Sequence, residues 1–217
     1  MTFMAIIAFI MQILNFILGI FVPPAPTGVA QAQFSCEKLV WTQPLKMVSG
    51  ELVGTVQETC KFEGASGGGL VQLKEHLVRQ VERDASTIYA GPVQTVSNGE
   101  NATTYSVAFK GDPQDGDVET RGNSVLYTSA NRLRHTFNQT AVYANNDAKY
   151  ISGVTASMDV TPSTQAHWYN LTATVNIRVK KPWFVTAGFF ANKIANGIEK
   201  QMPNRIIDAI NELASHL

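Results

Sequence analysis

Two cysteines and four histidines are the side chains with the most direct chemical use, and their spacing narrows that use. Cys36 and Cys60 are the only cysteines. They lack the C-x-x-C spacing that lowers a thiol pKa in redox proteins or grips a metal. A redox pair or a thiol ligand pair is therefore the less simple reading, and one structural disulfide the simpler. His76, His135, His167 and His216 show neither H-x-x-x-H nor H-E-x-x-H spacing, so no metal site is expected. His76 falls beside the apolar stripe of a predicted helix, where a packed or solvated histidine is the ordinary outcome. The stretch Asp112-Pro-Gln-Asp115-Gly-Asp117-Val-Glu119 gathers oxygen ligands but lacks the EF-hand pattern, and its Pro113 and Gly116 read as turn residues of a solvated loop. There is no P-loop. No catalytic residue and no cofactor are expected, and a hydrolase would have to be assembled from residues dispersed in sequence.

The compartment is more legible than the chemistry. The first 36 residues carry no charged side chain. They include an apolar run from Phe3 to Val22, closed by Pro23-Pro24 and followed by the small-x-small triplet Ala30-Gln31-Ala32. This reads as an export signal cleaved after Ala32. The run is about 20 residues long, enough to span a bilayer, so retention as an N-terminal anchor stays open. Phe34-Ser35 before Cys36 is not the small-residue context that lipidation needs. The expected organisation is a signal peptide or anchor over 1–32 and a single domain over 33–217, about 185 residues, which suits one core. An exported position, periplasmic or secreted, favours a Cys36–Cys60 disulfide. Lys and Arg number 17 against 17 Asp and Glu, so nothing marks a nucleic-acid partner. Membrane contact is expected only through residues 1–32. Lys180-Lys181-Pro182-Trp183-Phe184 sets two cations beside two aromatics, as interfacial anchors do, but packing of Trp183 and Phe184 at a helix start is the preferred reading. Three Asn-x-Thr sequons, at Asn101, Asn138 and Asn170, decide nothing without knowledge of the host.

The elements that would position these residues follow from periodicity. Phe34–Val48 and Glu51–Phe62 read as extended segments joined by a turn at Ser49-Gly50, which would bring Cys36 and Cys60 together at the open end of a hairpin. Leu70, Leu73, Leu77 and Val81 give a helix over 70–84. Period-two alternation marks strands at Tyr105–Phe109, Leu133–Tyr143, Tyr150–Val160 and, most clearly, from Tyr169 to Val179. A polar stretch over 91–103 reads as a short strand and a loop. Phe190, Ile194, Ile198, Met202, Ile206, Ile210, Leu213 and Leu217 predict a long amphipathic helix over 184–217, with a kink or restart before Pro203.

An extended hairpin, a helix, about five long antiparallel strands and a closing helix resemble the helix-grip architecture of the START and Bet v 1-like superfamily. The resemblance rests on that order and on the junction Val179-Lys180-Lys181-Pro182-Trp183-Phe184. Two departures are a first hairpin longer than the usual single strand and one clear helix where the family generally has two. The fold class is α+β, a curved antiparallel sheet on a long C-terminal helix. The resemblance implies a cavity for a lipid or other hydrophobic small molecule between sheet and C-terminal helix. Tyr169, Leu171, Ala173 and Val175 would line it from the last strand, and Phe190, Ile194 and Ile198 from the helix. The alternative is that these residues fill a solid core, making the chain an exported interaction module without a ligand.

Overall fold

Ser49 and Gly50 both adopt positive φ, 50° and 84°. That is the requirement of a two-residue type I′ turn, and it folds β2 (Val40–Val48) back onto β3 (Glu51–Glu63). The computed structural model describes residues 32–65, 67–88, 94–97, 102–110, 118–144 and 151–217. The segment expected to be an export signal or anchor (1–32) lies outside them except for Ala32, as do the acidic residues 112–117 and Asn101.

Among the described residues, nine strands form one antiparallel sheet. The short β1 (Phe34–Cys36) and then β2 pair along the same edge of β3. The other edge of β3 carries the last strand, β9 (Trp168–Lys180), and the sheet continues through β8 (Ile151–Pro162), β7 (Arg132–Ala144), β6 (Val118–Ser129), β5 (Ala102–Lys110) and β4 (Gln94–Ser97). The predicted hairpin, helix and strand sites are present. The first extended segment is broken after Cys36, so Pro44 lies within the second piece, where β2 leaves register with β3.

One face of the sheet is covered. Leu52, Val56, Cys60 and Phe62 on β3 alternate with more exposed neighbours, as do Leu171, Ala173, Val175, Ile177 and Val179 on β9. Two helices lie on that face: α1 (Leu70–Ile88) toward β5–β7 and α2 (Ala187–Ala214) over β2–β3. Leu70, Leu73, Leu77 and Val81 of α1 join Phe190, Ile194, Ile198, Met202, Ile206, Ile210 and Leu213 of α2 in one hydrophobic core. The closing helix begins three residues later than the periodicity suggests and runs through Pro203 without a restart. Proline there removes the bond to the carbonyl of Glu199, an exposed residue on the solvent side, where water can replace the lost donor. The expected α+β helix-grip architecture is therefore present, a curved antiparallel sheet gripping a long C-terminal helix.

Candidate functional site

Cys36 and Cys60 face each other across the β1–β3 ladder and are disulfide-bonded. The hairpin geometry expected from the sequence is what brings them together. Such a crosslink forms and persists in an oxidising compartment. No helix among the described residues is long and apolar enough to cross a membrane.

Of the seven residues expected to line a ligand cavity, six belong to the hydrophobic core and Tyr169 packs against it. Leu171, Ala173 and Val175 of β9 and Phe190, Ile194 and Ile198 of α2 are each 0% exposed. Tyr169 is half-buried and donates its hydroxyl to the Gly68 carbonyl at 3.3 Å.

Open space lies on the flank of α1. A half-open cleft of about 470 Å³ runs between α1 and the inner face of β5–β6, lined by Val71, Lys74, Glu75, Val78, Arg79, Thr103 and Thr128. Helical spacing explains the helix side. Residues 74 and 75 lie three and four positions after 71, and 78 lies four and three after them, beside the buried stripe 70, 73, 77 and 81. Strand alternation explains the floor, since Thr103 and Thr128 are inward-facing positions. The inner face is polar here. Thr103, Ser124, Thr128 and His135 are all buried on β5–β7, while β8 and β9 present aliphatic side chains. The cleft thus combines valine surface with hydroxyls and a charged rim.

Ser124 and His135 form a buried pair, Oγ to Nε2 at 2.8 Å, which sequence reasoning missed because eleven residues and a turn separate them. Their spacing suits a nucleophile and base. Ser124 Oγ also lies 2.8 Å from the Thr136 carbonyl, which can only accept, so the single hydroxyl proton is directed there. His135 Nε2 is then the donor to Ser124, and a donor cannot act as the base. With both residues essentially without solvent exposure, the pair satisfies buried polar groups.

Glu58 is the other inward polar residue, 4% exposed on β3 beside the disulfide, with Oε2 lacking a hydrogen-bond partner. Burial pushes its carboxyl up to about 7. Below about pH 4.5 it is protonated in both folded and unfolded chains. Between about 4.5 and 7 only the unfolded chain has lost the proton, so stability falls as pH rises through that window and the penalty is constant above it. Glu58→Gln is expected to raise stability on the order of 1–2 kcal/mol at pH 8 and to leave it nearly unchanged at pH 4. The gain is smaller than the full shift because the amide still buries unpaired polar atoms. Urea unfolding at the two pH values checks this, and an equal gain at both would exclude the carboxylate as the cause.

Three sites differ from expectation in another way. Trp183 and Phe184 are 88% and 65% exposed, so they are not packed at the helix start. The Lys181 ammonium is tied back to the carbonyls of Pro182 and Val185, which holds the junction before α2 and turns the two rings outward. His76 does not stand alone beside its stripe. It meets Glu212 and His216 from the end of α2, and burial followed by the nearby His216 lowers its pKa.

No protein-family model matches this sequence, and no curated protein does. Solved structures to which the chain is similar include the following three. Norcoclaurine synthase from Thalictrum flavum is 11% identical over 82% of this chain and 97% of its own, with a TM-score of 0.46. The STAR-related lipid transfer protein from Xanthomonas axonopodis is 8% identical over 85% of this chain and 99% of its own, with a TM-score of 0.43. The di-domain ARO/CYC StfQ from the steffimycin biosynthetic pathway is 13% identical over 74% of this chain, with a TM-score of 0.46, and the chain spans 49% of its length. At these values the likeness carries no argument, and fold, ligand and chemistry rest on this chain's own residues.

Proposed function

We propose that the chain is an exported, non-enzymatic binding protein for a lipid or other amphipathic small molecule, received in the cleft between α1 and β5–β6. The observation that carries this reading is the cleft of about 470 Å³, a size suited to a small-molecule ligand. Its composition suggests the ligand's polarity. Val71 and Val78 offer apolar contact, while Thr103, Thr128 and the Lys74, Glu75 and Arg79 rim can hold a polar end. Buried apolar ligand surface would supply about 25 cal/mol per Å². The residues between β9 and α2 would join the binding surface only if α2 moved away from the sheet.

Val78→Trp would place an indole in the cleft. It is expected to weaken uptake of a fluorescent long-chain fatty acid at least tenfold while leaving the melting temperature within a few degrees. Ile194→Val, in the solid interface under α2, is expected to cost about 0.5–1.5 kcal/mol of stability and leave uptake unchanged. The reverse pattern would move the ligand to the α2 interface. The second reading, a solid-cored module acting through protein contacts, is favoured by the closed packing of those six residues and the exposed Trp183, Phe184 and Phe189. Absence of uptake by the parent protein would support it.

A further inference from the structure

We propose that His76, Glu212 and His216 form a site for a divalent transition metal of the zinc class, joining α1 to the end of α2. This inference is independent of the cleft and of any ligand bound there.

Glu212 and His216 are four residues apart, so the helical turn stacks them on one side of α2. The chain beyond Ala214 keeps that spacing, because the amides of Ser215 and His216 still donate to Glu212 and Leu213. His76 arrives from α1. Its Nε2 is 3.3 Å from Glu212 Oε1, and His216 Nε2 is 3.6 Å from the same oxygen. The three candidate ligand atoms all lie within 4.8 Å of one another. Around tetrahedral zinc, with bonds of about 2.0–2.2 Å, neighbouring ligand atoms sit about 3.3–3.5 Å apart. The two separations to the carboxylate are close to that edge length.

Other observations point the same way. His76 Nε2 is shielded from solvent and makes no aligned hydrogen bond, although it faces the carboxylate. The imidazoles of His76 and His216 stack with centroids 3.5 Å apart, and both Nε2 atoms lie near one carboxylate oxygen, so an ion would enter as the rings splay from that stack. Gln80, one turn beyond His76 on α1, donates to Glu212 Oε1 at 3.1 Å and so orients the carboxylate as an outer-shell partner. Two imidazoles and a carboxylate suit zinc and its neighbours better than the oxygen-seeking magnesium or calcium. Side-chain exposures of 21% for His76 and 33% for Glu212 and His216 leave a fourth position open to water or an external ligand. The other close group, Cys36, Glu58 and Cys60, is not comparable, because its sulfurs are already bonded to each other.

The test is calorimetric titration of the chelator-treated protein, disulfide intact, with Zn²⁺, and separately with Mg²⁺ and Ca²⁺. One Zn²⁺ should bind per chain and raise the melting temperature, with no heat from the other two ions. His76→Ala and His216→Ala should each weaken binding more than the roughly 10–100-fold expected for loss of the outer-shell Gln80. His216 lies beyond the last turn of α2, so its variant keeps the fold even where that of His76 does not. Absence of Zn²⁺ binding, or binding undiminished in His216→Ala, would overturn the proposal.

Discussion

Replacing both cysteines, Cys36→Ala with Cys60→Ala, is expected to cost about 3 kcal/mol of folding stability, one of the two largest effects predicted for this fold. The crosslink spans a sequence separation of 24, and closing a loop of that size removes conformations mainly from the unfolded chain. Its local effect is equally specific. The strand β1 is three residues long and meets the sheet only through its register with β3, so Cys36↔Cys60 holds its inner end in place. Cys60 is buried beside Glu58, and truncating it also empties part of the inner face. For a domain of this size the loss corresponds to a melting temperature lower by about 6–12 °C. Chemical reduction of the parent protein should give a similar drop. A loss below about 1 kcal/mol in denaturant unfolding would mean that the bond does not staple the hairpin.

Gly122→Ala is expected to destabilise by about 2–3 kcal/mol, an unusually large cost for one methyl group on a strand. A side-chain methyl at Gly122 would collide with the edge of the Phe137 ring and lie 2.7 Å from the Asn138 carbonyl oxygen. Phe137 is fully buried, so its ring has nowhere to retreat, and the carbonyl belongs to the neighbouring strand. The β6–β7 register shifts beside this glycine, and the phenyl ring covers the bare backbone there. Such a bulge also bends the sheet toward the helices it grips. The check is a double-mutant cycle with Phe137→Leu. The cost of Gly122→Ala should fall in the Phe137→Leu background, and additive costs would show that the ring is not the obstacle.

The sequence was legible where one face of an element is aliphatic. Strand β9 alternates without interruption from Tyr169 to Val179, and α2 repeats an aliphatic residue at three- and four-residue intervals. Strand β6 was not recognised because its inward positions Gly122, Ser124, Leu126 and Thr128 include only one large apolar residue. That polarity is the feature that makes the cleft floor suitable for a polar group, so the functional region is the part that periodicity hides. The cavity expected under α2 was inferred from apolar stripes, and stripes do not distinguish a packed interface from a vacant one. The His76, Glu212 and His216 group was invisible for a different reason. Only Glu212 and His216 have helical spacing, and their partner lies more than a hundred residues earlier in the chain, brought close by the packing of α1 against the end of α2. The outward rings of Trp183 and Phe184 depend on how Lys181 caps its own loop, a local detail that hydropathy cannot supply.

The measurement that tests the central claim most directly is native mass spectrometry of the protein secreted from an oxidising host, followed by organic extraction of whatever accompanies it. Ligand binding in the α1 cleft predicts an adduct that extracts as a defined amphipathic molecule and that Val78→Trp abolishes. A clean apo mass, unshifted after incubation with total lipid extract, would contradict it and leave the solid-cored interaction module as the account of this chain.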